Sequence, residues 1–247
     1  MEKEMKQLKI EFEKIRKKGY IRGIYNNLSS IGRTFENELN LPENEFGVPD
    51  YYGIEIKTRR AYSKSAITLF NASPDGEDLF EIERLKNTYG YPSRNDRKYK
   101  VIYIEAYGNK LRYSGIKFQY RLDIDRKSRR VYLCIYNRND ELIERKIYWS
   151  FDYLEERLIL KLKYLALINA WTNTIEGWNY FKYYKIDFFK LKSFDKFLDL
   201  LENGYIKLVI KVGIYLDEKR YGNTYDHGCG FAIKDDDICK LYYKCDI

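Results

Sequence analysis

Between Tyr99 and Tyr148 the chain runs through four short β-prone segments, Lys100 to Ala106, Phe118 to Asp125, Arg130 to Tyr136 and Leu142 to Tyr148, parted by polar turns such as Asn137-Arg138-Asn139-Asp140. Each is rich in β-branched and aromatic residues and long enough to cross one sheet, so an antiparallel meander is the simplest account. Lys207 to Tyr215 alternates in the same way. Helical periodicity flanks these strands, which makes the chain α/β. Glu2 to Lys18 places Met5, Leu8, Ile10, Phe12 and Ile15 under a charged face, as an outer helix would. Asn26 to Ser30 offers caps for a second helix, Ile31 to Leu39, which carries Glu36. Asp152 to Asn169 repeats Leu154, Leu158, Leu162, Leu165 and Leu167 and reads as a core helix. Lys190 to Asn203 reads as another, with Asn203-Gly204 as its stop signal.

One segment carries more than packing. In Pro49-Asp50-Tyr51-Tyr52-Gly53-Ile54-Glu55-Ile56-Lys57, residues Gly53 to Thr58 alternate like a half-buried strand, with Ile54 and Ile56 on one face and Glu55 and Lys57 on the other. Pro49 disfavours a helix, and the turn-like setting of Asp50 folds its carboxylate back toward Glu55. Two carboxylates so placed suit a hard cation such as Mg2+, which fills its other positions with water and phosphate oxygens. Lys57 beside that water would ease its deprotonation and offset charge on a phosphoryl group. A chain that is 33% charged also yields such a spacing by accident, on the order of once. A solvated edge strand therefore stands beside the cation site as a reading of these residues alone. Ala66-Ile67-Thr68-Leu69-Phe70 follows as an expected partner strand, ahead of a turn at Ser73-Pro74-Asp75-Gly76.

With 247 residues, 45% of them apolar, the chain can bury a substantial core as one large domain or two unequal lobes. A formal charge of +8 suits a polyanionic partner such as nucleic acid, although abundant Lys, Ile, Tyr and Asn also fit AT-rich coding. The four cysteines form no CxxC pair and the single histidine completes no zinc spacing, so reduced thiols in a cytosol are expected. Neither a signal peptide nor a membrane span is legible.

Taken together, Ile31-Gly32-Arg33-Thr34-Phe35-Glu36, Pro49-Asp50 with Gly53-Ile54-Glu55-Ile56-Lys57, and Thr68-Leu69-Phe70 resemble the MvaI/BcnI family of restriction endonucleases, relatives of the repair nickase MutH. The likeness continues through Tyr148-Trp149-Ser150-Phe151-Asp152, Lys161-Leu162-Lys163-Tyr164, Glu202-Asn203-Gly204 and Asp226-His227-Gly228, nearly the whole chain. What it implies is a PD-(D/E)xK nuclease: a restriction-endonuclease-like mixed sheet flanked by helices, with a catalytic lobe and a recognition lobe that close around duplex DNA. Residues 1–95 would be mainly catalytic, 96–170 the central sheet and core helix, and 171–247 mainly recognition. The resemblance puts Asp50 and Glu55 on the metal-binding carboxylates, the carbonyl of Ile56 as an extra ligand, Lys57 on the catalytic lysine and Glu36 on a helix-borne acid near the site. It further implies a Mg2+-dependent monomer in the prokaryotic cytoplasm that cuts strands in separate events, leaving a 5′-phosphate and a 3′-hydroxyl. A cognate DNA methyltransferase would share the cell without touching the enzyme.

Single residues take two readings each. Glu36 is a solvated helix residue or a group near the metal and its waters. Arg59, Arg60 and Lys64, with Arg33, are basic surface or hold flanking phosphates. His227 is a turn histidine or a base reader, with Lys211, Arg220, Asn223, Tyr225 and Asp226 as companions. The family pattern has arginine near Lys211, histidine near Tyr225 and arginine near Ala232. Arg reads guanine bidentately and Lys or Ala does not do so equally, so the family's target sequence is not carried over. A MutH-like nicking enzyme and a DNA-binding module without catalysis are the rival readings.

Overall fold

A computed structural model describes residues 1–42, 47–75, 81–115 and 117–247. Within them the chain forms a mixed α/β fold of two compact units, each assembled from separated segments. The turn expected at Ser73 to Gly76 runs into residue 76, outside the described residues.

The first unit comprises Met1–Ser65, Leu158–Lys192 and Cys239–Ile247. Its five-stranded sheet is built around a hairpin of Tyr164–Ile175 and Trp178–Leu191, whose reversal uses positive φ at Glu176 and Gly177. The motif strand, Glu55–Arg60, lies parallel to Tyr164–Ile175 at one edge, with Glu55 opposite Leu165 and Lys57 opposite Leu167. Helix Glu2–Lys17 and helix Ile31–Glu38 cover one face. Met5, Leu8, Phe12, Ile15, Ile31 and Phe35 pack there on Ile54, Ile56, Ala166, Ile168, Ala170, Phe181 and Tyr183. The Tyr183 hydroxyl is buried with them and donates to the Ile31 carbonyl at 2.7 Å, fixing the second helix to the sheet.

The second unit comprises Ala66–Arg157 and Ser193–Ile238. One sheet joins Phe118–Asp125 and Arg130–Tyr136 with the short strands Arg112–Ser114, Leu142–Glu144 and Tyr148–Ser150. The other runs Ile67–Asn71, Thr224–Ile233, Ile206–Ile214, Lys100–Ala106, Tyr91–Pro92, all antiparallel. Helix Phe194–Glu202 is capped by Ser193, whose side chain accepts from the Lys196 N–H. Its Phe197 meets Phe70 and Phe231 in an aromatic cluster.

Five sequence expectations change. The helix over Asp152 to Asn169 ends at Leu162, and Leu165 and Leu167 belong to a strand. That strand is buried on both faces beside a parallel neighbour, so its apolar run lacks the alternation that separates strand from helix. Lys190 and Leu191 likewise end a strand, and the following helix starts only after its Ser193 cap. Lys100–Ala106 leaves the meander to pair with Ile206–Ile214, where Ile102, Ile104 and Ala106 are buried alongside Leu208, Ile210 and Val212. Ile67–Asn71 pairs with Thr224–Ile233, and the motif strand's neighbour is Tyr164–Ile175. The expected Leu142 to Tyr148 strand is two short strands, parted where Arg145 turns to Asp123 and Asp125 at 2.7 and 2.9 Å.

Candidate active site

The motif begins with a reversal. Tyr52 and Gly53 have φ of +43° and +86°, as in a two-residue hairpin turn, and Gly53 accepts that conformation without the clash a Cβ brings. Tyr51 N–H donates to Ile54 O at 3.0 Å and Ile54 N–H to Tyr51 O at 2.8 Å, closing the turn. Asp50 is thereby folded back on the strand, where its Oδ2 accepts from the Ile56 N–H at 2.8 Å. In an extended strand the N–H and C=O of one residue leave by the same edge. The carbonyl of Ile56 therefore points to the side that Asp50 occupies.

Glu55 and Lys57 share the sheet face opposite the helices. Glu55 is 1% exposed. Its Oε1 accepts from Lys57 Nζ at 2.7 Å and lies 3.5 Å from Lys161 Nζ, while its buried Oε2 has no hydrogen-bond partner. Burial pushes the Glu55 carboxyl up to about 7; Lys57 and Lys161 oppose the rise and Asp50 adds to it. A buried carboxylate oxygen without a partner is costly to leave so. A divalent cation beside Asp50 would satisfy it, so the residues present fit such an ion. Among the described residues no three His, Cys, Asp or Glu side chains converge. The side-chain donors are thus two carboxylates, with a backbone carbonyl close by, an all-oxygen set that suits a hard cation retaining water.

Glu36 approaches differently. A Cβ on Gly32 would stand 3.2 Å from Thr58 Oγ1, so this glycine lets the Glu36 helix close on the motif strand, on the face opposite Glu55 and Lys57. Glu36 pairs with Arg33 at 3.3 Å. The expected phosphate contacts are also divided. Arg59 continues the Glu55–Lys57 row and donates to the Ser63 carbonyl, Arg60 faces the other way, and Lys64 is exposed in the turn beyond. Lys161 was not singled out as a site residue from sequence. Nothing in its spacing marks it, since only the fold brings the last turn of helix Phe151–Leu162 against Glu55.

The base-reading candidates all belong to the second unit. Lys211 sits at a bulge in Ile206–Ile214, its Nζ 5.5 Å over the Tyr103 ring. Arg220 pairs with Asp217 at 2.9 Å and lies 3.8 Å over Tyr215. Tyr215 meets Tyr225 at 4.6 Å, and Tyr225 meets His227 at 4.1 Å. Together they border a pocket of about 530 Å3. Gly213 makes room for the imidazole, since a Cβ there would stand 3.0 Å from His227 Nε2. Asp226 spends an oxygen on the Gly228 N–H at 2.7 Å, and Asn223 is exposed in the loop. Ala232 is 4% exposed, within the core.

The MvaI/BcnI restriction endonuclease family model matches residues 10–242. Two solved structures of the restriction endonuclease MvaI are similar at 30% identity, over 99% of this chain and 98% of theirs. One is a complex with its cognate DNA substrate, at a TM-score of 0.91, and the other MvaI in the absence of DNA, at 0.64. A search of curated proteins gave no match. The family match takes in the Asp50–Lys57 hairpin and the His227 strand alike, and over nearly the whole length the chain belongs to the MvaI/BcnI restriction endonuclease family, type II site-specific deoxyribonucleases.

Proposed function

We propose that the chain is a Mg2+-dependent restriction endonuclease that hydrolyses phosphodiester bonds of duplex DNA at a short specific sequence. It acts as a monomer in a prokaryotic cytoplasm, cuts the strands one at a time and leaves 5′-phosphate and 3′-hydroxyl ends. The observation that carries this reading is the buried, unpartnered Oε2 of Glu55 on the strand that also presents Lys57 and binds Asp50. Asp50, Glu55 and the carbonyl of Ile56 would hold the cation. Magnesium held there would offset the charge of the two carboxylates and supply Lewis-acid polarisation of the phosphate. Lys57 holds its ammonium on the same face, where it orients the attacking water, eases loss of its proton and offsets charge on the phosphoryl oxygens. Glu36 supports the site from the helix beside Thr58.

Duplex DNA as substrate follows from the family, from the cognate-DNA complex of MvaI and from the charge of +8. In this reading the first unit is the catalytic lobe, and its Arg33, Arg59, Arg60 and Lys64 contact phosphates. The second is the recognition lobe, and Lys211, Arg220, Asn223, Tyr225, Asp226 and His227 face base edges. A cognate methyltransferase protects the host's own sites.

The test is a sequenced, unmethylated plasmid incubated with the protein and Mg2+, with the ends mapped. Discrete cuts at one recurring sequence, abolished by EDTA, are expected. Nicking confined to hemimethylated DNA would transfer the reading to a MutH-like repair enzyme, and binding without products to a non-catalytic DNA-binding module.

A further inference from the structure

The row of residues that holds Glu55, Lys57 and Arg59 continues past the end of the motif strand. On the neighbouring strand Leu165, Leu167 and Asn169 lie opposite those three residues, and Trp171 is next on that face. Trp171 stacks on Tyr184 with centroids 4.8 Å apart and planes 23° from parallel. Tyr184 reaches it through the register shift that interrupts the hairpin between Asn169 and Ala170. Tyr62 also meets Trp171, with ring centroids 5.2 Å apart and planes tilted by 55°.

Tyr62 is held there against two ordinary preferences. It is 89% exposed although it is a large aromatic, and its φ is +62°, a region that bulky residues avoid. The turn leaves it little choice. Ala61 N–H donates to the Ala170 carbonyl at 2.8 Å, Ser63 N–H to the Arg60 carbonyl at 3.1 Å, and Arg59 to the Ser63 carbonyl. Backbone strain maintained by surrounding hydrogen bonds gathers at functional positions. Here it leaves the ring open to solvent beside the stacked Trp171–Tyr184 pair. The charge around it selects a polyanion, because Lys64 stands exposed in the same turn and exposed Lys182 lies opposite Trp171 in the hairpin. From Lys57's partner Leu167 to Trp171 is four residues, roughly 13 Å of strand. That is about four base steps of duplex.

We propose that Tyr62, beside Trp171 and Tyr184, is a DNA-contacting platform whose exposed ring packs on nucleotides flanking the scissile phosphate. This rests on duplex DNA being the substrate. The bases of a duplex are paired and stacked, so the ring packs on a sugar of the backbone without reading base identity, and the contact adds affinity and register to the catalytic lobe and no sequence preference.

The test measures binding by fluorescence anisotropy of a labelled duplex carrying the mapped cleavage site, with Ca2+ in place of Mg2+, beside thermal melting of each protein. Tyr62→Ala should weaken binding at least about fivefold, with the melting temperature unchanged. Tyr62→Gly, which relieves the positive φ, should weaken it equally, and Tyr62→Phe should restore it. Parent-like affinity in both the Ala and Gly variants would overturn the platform while leaving the nuclease reading intact. A parent protein that binds no duplex would overturn both.

Discussion

The Asp50–Lys57 hairpin and the aromatic ribbon around His227 meet opposite demands. At the hairpin, a carboxylate is buried to 1% exposure with one oxygen unpartnered, so the fold carries an electrostatic deficit that a proton or a bound cation relieves. At the ribbon, the groups face solvent and already have partners: Arg220 has Asp217 and Tyr215, and Tyr225 lies between Tyr215 and His227. A site of the first kind tolerates no change of chemistry, because every neighbour is placed around one charge. One of the second kind can exchange side chains at little cost to the fold.

The sharpest way to break that contrast is Lys57→Ala. Cleavage of the mapped site should fall by at least about a hundredfold, the scale of losing one positioned charge donor, while duplex affinity in Ca2+ stays within a factor of two or so. Single-turnover kinetics beside a binding titration separate the two, and parent-like cleavage would end the assignment. Glu55→Gln probes the stored deficit itself. A carboxyl displaced from 4.5 to about 7 on folding makes the folded state bind more protons between those values, so stability falls as pH rises through that window. Gln carries no such charge. In EDTA at pH 8 the variant should be the more stable, by on the order of 3 kcal/mol, although cleavage is lost. Denaturant melts at pH 5 and pH 8 check the sign, and a variant less stable at pH 8 would contradict it. Mg2+ should raise the melting temperature of the parent and not that of the variant.

The hairpin is legible in sequence because turn, alternation and carboxylate spacing all fall within nine residues, and local backbone geometry turns that spacing into an arrangement in space. Lys100–Ala106, Phe118–Asp125 and Arg130–Tyr136 were readable on the same ground. What local pattern does not encode is the partner of a strand. The motif strand's neighbour begins at Tyr164, more than a hundred residues on, and its double-sided burial erased the alternation that would have marked it. The same crossover brings Lys161 to Glu55, and it places Trp171 on the face of Glu55 and Lys57. Trp171 has no sequence signature, and Lys161 has none beyond its place in the family likeness.

Smaller effects sharpen the recognition side. His227→Ala should leave the fold's stability within about 0.5 kcal/mol, as exposed positions do. It should cost roughly 1 to 3 kcal/mol of discrimination at one base pair of the target, read as relative cleavage rates over singly substituted sites. Unchanged ratios at every position would remove His227 from base reading.

Lys64→Ala is the smallest change and separates the two kinds of DNA contact most cleanly. Lys64 is exposed beyond the motif strand, where an ammonium can neutralise one phosphate and release one counterion but reads no base. Its loss should therefore weaken binding to cognate and non-cognate duplexes alike, and leave the ratio between them unaltered. The slope of log affinity against log salt should become shallower by about one. Anisotropy titrations across a salt series provide both numbers. A changed cognate-to-non-cognate ratio would mean that the turn after the motif strand shares in sequence reading, and the division between an unchangeable chemical site and an exchangeable reading surface would then fail at its boundary.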